Sequence, residues 1–355
     1  MIIKACADML NIKMITVLLM LLVINGCYSS QKRFETLFTV MGTSMQIIIY
    51  LDRDDNCDDN KKRANAVLSR ATEIAIEFSS RYSVRNEGSV ISILNQAGKM
   101  KIEDGHFLDL IKKSLIYAEL TNGAFDPSLY NLIKLWEFNR PDFEFPTRDV
   151  VEVALHSSGF KNVSLENNRI ILKNKARLHL GGIAKGAIIS EVARFIESQG
   201  IQHFLVNGGG DIVAKGHPYG KKQWNIAITD PYKKTDYIGT VELTDMAIVT
   251  SGDYERFIVK DGIRYHHIVD PATGYPVRNN LTSVTVVGKD IIEADAFATA
   301  FFVMGREKAI PMAKSNGLEV IFIENSRDNM LITATDGISI VKNGEMYNFR
   351  GFPKK

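Results

Sequence analysis

Short runs rich in isoleucine and valine recur along most of the chain, at residues 34–40, 45–50, 169–173, 203–207, 225–229, 265–269, 283–287 and 320–324. Branched side chains crowd a helix but pack well on a pleated surface, so these runs predict strands. Between them the apolar spacing changes to threes and fours. Ala64, Val67, Leu68, Ala71, Ile74, Ala75 and Phe78 mark a helix over about residues 61–78, and Leu108, Ile111, Leu115 and Ala118 mark another over 107–120, stopped by Asn122-Gly123. A third begins near Ile183 and ends before Gly200; a fourth starts near Glu293 and carries Ala296, Phe297, Ala300, Phe301 and Val303. Such faces predict core. With 355 residues the chain can bury a sizeable one, and no repeat, low-complexity tract or long linker divides it. The expectation is a single α+β domain over residues 34–355, with mixed sheets and flanking helices.

The N-terminal stretch has a different character. Lys4 and Lys13 precede an apolar run over residues 14–24, followed by Gly26 and Cys27. A run of about eleven residues falls short of the roughly 20 that span a bilayer, so residues 1–26 predict an export signal rather than a permanent membrane helix. Ile24-Asn25-Gly26-Cys27 resembles a bacterial lipobox, with Cys27 as the lipidated residue and residues 27–33 as a short tether. The protein is therefore expected to be exported and lipid-anchored to a bacterial membrane, facing the periplasm if the cell is Gram-negative. Of the three cysteines, Cys6 would leave with the signal and Cys27 would take lipid, so only Cys57 remains and no disulfide framework can form. The formal charge of +2, with basic residues spread along the chain, does not suggest a nucleic-acid partner.

Five motifs could carry chemistry. His179-Leu180-Gly181-Gly182-Ile183-Ala184-Lys185-Gly186 is a glycine-rich turn opening a helix. Amides at a helix start have no internal partner and lie at the positive end of the dipole, which suits a phosphate; a structural turn with a solvated lysine would explain the segment too. It is not a Walker A loop, because the glycine spacing differs and no Ser or Thr follows Lys185. Asn207-Gly208-Gly209-Gly210-Asp211 ends a strand with three glycines, which lets backbone approach a ligand or simply turns the chain. No G-x-G-x-x-G is present, which disfavours a Rossmann site. Asp295 and Thr299 lie four apart on one helix face. Their oxygens are of the hard type magnesium takes, although an acid near a helix start and a back-bonding threonine need no metal. His267 and Asp270-Pro271-Ala272-Thr273-Gly274 end another strand, where a histidine can act as general acid or base. Thr250-Ser251-Gly252-Asp253 follows a further strand, and no G-x-S-x-G elbow occurs anywhere.

Taken in order, these motifs resemble the FAD:protein FMN transferase family, often called ApbE. The resemblance covers nearly the whole mature chain: Val40-Met41-Gly42-Thr43, Ser80-Arg81-Tyr82, Ser89 to Asn95, Gly123-Ala124-Phe125-Asp126-Pro127, both glycine clusters, Trp224 to Asp230-Pro231, Thr250-Ser251-Gly252, His267 to Gly274, and Ala294-Asp295-Ala296 through Thr299. It implies that FAD binds in a cleft between two packed lobes, with Mg²⁺ bridging the diphosphate. Asp295, Thr299 and the backbone carbonyls of Ala184 and Ala298 would hold the metal. Met41, Tyr82, Asp126, Lys185, Gly209, Gly210, Asp211 and His267 would line the flavin and phosphate site, with Tyr82 stacking on a flat ring.

The implied reaction moves FMN onto a threonine or serine hydroxyl of an exported acceptor, a membrane redox-pump subunit, and releases AMP. His267 is the first candidate for the base and Asp295 the second. Two alternatives share the cleft: an FAD pyrophosphatase, in which water replaces the acceptor hydroxyl, and a flavin-binding lipoprotein without turnover. The chain departs from the family where members commonly carry acids, having His179 and Ser190 there, and its segment from Tyr82 to Ser89 is a few residues longer.

Overall fold

The computed structural model describes residues 31–52, 57–138, 143–233, 235–326, 329–342 and 345–347. The expected signal segment and Cys27 lie outside these residues.

Strands β1 (Gln31–Val40) and β2 (Thr43–Asp52) open the fold as a hairpin turning through Met41 and Gly42. Both turn residues have positive φ, 55° and 70°, the geometry that matches the twist of paired strands. There follow α1 (Cys57–Tyr82), α2 (Val90–Ala97), β3 (Lys99–Lys101), α3 (Gly105–Leu120), α4 (Tyr130–Leu135) and α5 (Arg148–His156). The middle of the chain holds β4 (Val163–Glu166), β5 (Arg169–Leu172), α6 (Ala184–Ser198), β6 (His203–Gly208), β7 (Asp211–Lys215), β8 (Trp224–Thr229), β9 (Tyr237–Leu243) and β10 (Met246–Gly252). Then come β11 (Phe257–Lys260), β12 (Ile263–His266), β13 (Leu281–Gly288), α7 (Ile291–Met304), α8 (Arg306–Ser315), β14 (Glu319–Ser326), β15 (Asn329–Ala334), β16 (Ile340–Lys342) and β17 (Glu345–Tyr347).

Eight strands form the central sheet in the order β1-β2-β6-β7-β10-β13-β14-β15. Every ladder in it is antiparallel. Its residues alternate between two cores, as the period of two requires. Ile47, Ile49, Phe204, Val206, Val213, Ala247, Val249, Val320 and Phe322 point to one core, which includes Ala64 and Ala71 of α1, Ile188 and Val192 of α6, and Phe297 and Phe301 of α7. Ile48, Leu205, Ile212, Ala214, Ile248, Ile321 and Ile323 point to the other, where Trp224, Ile226, Ile228, Val241 and Ile340 of a smaller sheet, β17-β16-β9-β8, cover them. Helix α7 is apolar on nearly every face and buried throughout its middle, as a helix between a sheet and other helices must be. The Asp290 carboxylate caps it by accepting from the Ile292 amide at 2.8 Å.

A third cluster, Leu129, Leu132, Trp136, Val151, Ala154 and Val269, builds a small lobe from α4, α5 and the segment after β12. The expected strand over residues 265–269 instead belongs to a two-stranded hairpin, β11-β12, that ends at His266. The first strand starts at Gln31, so the expected tether over residues 27–33 already overlaps the sheet.

Candidate functional site

A cavity of about 1010 Å³ lies where the central sheet, the smaller sheet and the α4–α5 lobe meet. That is the size of a large ligand pocket. Met41, Asp126, Lys185, Gly209, Gly210, His267, Asp295 and Thr299 line it, so most of the site residues expected from sequence converge on one space. The lobes on either side match the expected cleft.

At its floor, α6 begins against the middle of α7. Gly186 permits this approach, because a Cβ there would sit 2.6 Å from the Ile291 carbonyl and 3.0 Å from Cβ of Asp295. The Gly186 amide donates to Oδ2 of Asp295 at 2.8 Å. One turn further along α7, Thr299 places Oγ1 3.5 Å from Oγ of Ser251. A Cβ on Gly182 would lie 3.1 Å from that Thr299 oxygen, so glycine keeps the hydroxyl accessible. Ala184 and Ala298 flank these groups on the two helices; their side chains carry no donor atom, so only their carbonyls could serve a metal.

The start of α6 has no side-chain cap. The amides of Ile183 and Ala184 donate to the Leu180 carbonyl, that of Gly181 to the His179 ring and that of Gly186 to Asp295. The amides of Gly182 and Lys185 have no acceptor among the described residues, which leaves two donors for an anion at the positive end of the helix.

Charge is concentrated here. Lys185 Nζ lies 2.5 Å from Oδ2 of Asp211, whose Oδ1 accepts from the Thr250 amide at 3.2 Å. Asp211 and Asp295 are 1% and 3% exposed, so the Lys185 ammonium, paired with Asp211 at the cavity wall, is also the nearby positive charge that acts on buried Asp295. Burial raises Asp295 to about 7, the Asp211 charge adds to the rise, and Lys185 and the Gly186 amide oppose it. Burial also raises Asp211 against the pull of Lys185. Lys185 is depressed by burial but raised more by the two carboxylates, so it stays charged. A cation would relieve the excess negative charge of the group, and Asp295 with Thr299 supplies the hard oxygens magnesium takes. These residues therefore fit the ion. No cluster of three or more His, Cys, Asp or Glu side chains able to hold a metal occurs among the described residues, so hydroxyl, carbonyl and phosphate oxygens would have to complete the coordination.

The remaining expected residues divide. His267 is half-buried on the wall, with its amide 3.0 Å from the Arg256 carbonyl. Burial, then the Arg256 charge, pushes its imidazole down to about 4, so it is neutral at pH 7. Gly210 donates its amide to the Asn207 side chain at 2.8 Å, and Gly209, at φ 64°, turns the backbone tightly over Thr43. Asp126 reaches the wall, but its carboxylate is occupied: it accepts from the Ser128 amide at 2.7 Å, the Ser128 hydroxyl at 2.6 Å and the Phe160 amide at 2.7 Å. It holds a turn.

Tyr82 is corrected. It is 6% exposed, packs edge-on to Phe78 and tilted against Phe107, and lies outside the cavity. The last turn of α1 faces the core, and the ring follows the helix. Aromatic side chains on the cavity lining come instead from Phe125, Tyr130, Trp136, Phe138, Trp224 and Tyr254, none of which the motifs singled out as ligand residues. Arg256 and Glu255, also on the wall, carried no sequence signal beyond their place just before a strand.

A family model described as the ApbE family matches residues 41–322. Over 306 residues the chain is 31% identical to an FAD:protein FMN transferase of Treponema pallidum, covering 80% of this chain and 82% of that relative. Over 316 residues it is 32% identical to an FAD:protein FMN transferase of Vibrio cholerae, covering 87% and 92%. Among solved structures, the ApbE protein of Thermotoga maritima superposes with a TM-score of 0.78 at 32% identity, covering 86% of this chain and 98% of that one.

Proposed function

The chain belongs to the ApbE family, and we propose from that premise that it transfers FMN from FAD to a threonine or serine hydroxyl of an exported acceptor, releasing AMP. The acceptor is a membrane redox-pump subunit, and the protein reaches it from a lipid anchor at Cys27. The observation that carries the reading is the buried Asp211–Lys185–Asp295 group beside Thr299, at the floor of a cavity large enough for a dinucleotide.

The reaction joins the acceptor oxygen to the FMN phosphorus as the bond from that phosphorus to the AMP oxygen breaks. Such transfer depends on positioning and charge neutralisation more than on covalent chemistry. Magnesium, held by Asp295, Thr299 and the carbonyls of Ala184 and Ala298, would supply charge neutralisation at the diphosphate. Lys185 and the open amides of Gly182 and Lys185 bind phosphate oxygens and stabilise the charge that develops on them. His267 takes the hydroxyl proton. Its low basicity reflects burial and Arg256, and the negative phosphates of bound FAD would favour its protonated form, raising its basicity when it is needed.

The test is a denaturing gel on which protein-bound flavin fluoresces, run after mixing the protein with FAD, Mg²⁺ and an exported acceptor domain bearing the target threonine. A fluorescent band at the acceptor is expected, lost in Asp295→Ala. No band with the unaltered protein sinks the proposal, and AMP released without acceptor would point to hydrolysis.

A further inference from the structure

We propose that His179 binds substrate as a neutral hydrogen-bond donor, giving its Nε2–H to an acceptor atom on the edge of a ring of FAD. This rests on the flavin-transferase reading of the cavity. The backbone around His179 is held by three hydrogen bonds to two partners. The Asn95 side chain accepts from the Leu178 amide at 2.6 Å and donates to the Leu178 carbonyl at 2.9 Å, while the His179 amide donates to the Pro127 carbonyl at 2.7 Å.

The ring is fixed as well. Its Nδ1 accepts the Gly181 amide at 3.1 Å. A histidine accepting at Nδ1 carries its hydrogen on Nε2, and it is not an imidazolium, in which both nitrogens donate. Gly181 makes this possible, because a Cβ there would overlap the imidazole, 2.9 Å from Nδ1. Burial favours the same neutral state, pushing the group down to about 4; Glu137 opposes that, and Arg256 and Arg85 add to it.

Among the described residues no protein group accepts the Nε2–H, although the side chain lines the cavity. A donor so placed awaits a ligand acceptor. Phosphate has its own partners at Lys185 and the open amides. His179 lies instead beside Tyr130, with ring centroids 6.4 Å apart at 40°, on the aromatic wall that continues to Trp136. A flat ring lying on that wall presents its edge to the imidazole. Both the isoalloxazine and the adenine of FAD carry such acceptors, and the two halves can be tested apart.

The experiment measures binding of FMN and of AMP separately by calorimetry, and AMP release from FAD in the presence of Mg²⁺ and the acceptor domain by steady-state kinetics, for the unaltered protein, His179→Ala and His179→Gln. Loss of one neutral hydrogen bond predicts about five- to tenfold weaker binding of one half in the alanine variant, a similar rise in KM for FAD, and kcat within about twofold. Glutamine retains an N–H donor and should recover most of the loss. Weakening on the FMN arm identifies the isoalloxazine, and weakening on the AMP arm the adenine. Unchanged binding of both halves in His179→Ala overturns the inference, as does equal weakening in both variants at an unchanged melting temperature. The function itself fails only if the unaltered protein forms no adduct, so the two failures are distinguishable.

Discussion

His266 and His267 are neighbours in sequence with opposite surroundings. His267 faces the cavity, whereas His266 is 4% exposed, donates from Nε2 to the Val277 carbonyl at 2.9 Å, accepts the Ile268 amide at Nδ1 and meets the Phe302 ring edge-on. Burial pushes His266 down to about 4 from 6.5, with the Val277 carbonyl opposing and Arg264 assisting. Between those values the unfolded chain binds a proton that the native state refuses. The stability His266 contributes is therefore complete above about pH 6.5 and is lost as pH falls towards 4. His266→Gln should lose less melting temperature than the unaltered protein between pH 7 and pH 5; identical slopes would contradict the buried neutral histidine. His179 and His267 keep some slope in the variant, since they shift in the same direction. Sequence analysis singled out His267 from its place beside the Asp270 to Gly274 turn, but residue type alone does not say which side of the chain meets solvent, so the burial of His266 had to come from the fold. Tyr82 shows the same limit: a tyrosine at a helix end serves a core as readily as a ligand.

At the scale of elements, the contact between α6 and α7 organises the site. It places the open amides of the α6 start, Lys185, Asp295 and Thr299 within one small volume, and it depends on Gly186 having no side chain. Gly186→Ala should destabilise the protein by about 1–3 kcal/mol, the cost of overpacking, because the obstructing atoms include backbone. It should also diminish any rise in melting temperature on adding Mg²⁺, since Asp295 would be displaced; thermal melts with and without the ion check both. An alanine variant with unaltered stability and Mg²⁺ response would show that the helices are not held this closely. Both helices were legible in sequence, one from its glycine-rich start and the other from its apolar run. The short helices α2, α4 and α5 were not, since six to nine residues give too few turns for a spacing to stand out. That omission hid the aromatic wall, which α4 and the segment after it provide.

For the whole molecule, the central sheet decides what neighbours what. Its inner strands are buried on both faces, so they appear in sequence as nearly continuous apolar runs, whereas edge strand β1 has an exposed face; neither the strand order nor the antiparallel pairing could be read from the sequence. Under the proposed lipid anchor at Cys27, the sheet would also set where the site stands relative to the membrane. With Gln31 already in β1, only residues 28–30 separate it from Cys27, a reach of about 10 Å at roughly 3.5 Å per residue. Cys27→Ser should move the protein from the membrane to the soluble fraction while leaving transfer on the gel intact; a variant that still sediments with membranes would refute the anchor. Sequence by itself determined the α+β class, the family, the glycine-rich turns and the pairing of Asp295 with Thr299, because these depend on local spacing and residue chemistry. Only the tertiary structure decided that Lys185 acts on Asp295 as well as on Asp211, that Tyr82 is core and that His179 is a fixed neutral donor. Those properties arise from distance, burial and hydrogen-bond partners, which residues far apart in the chain acquire only when it folds.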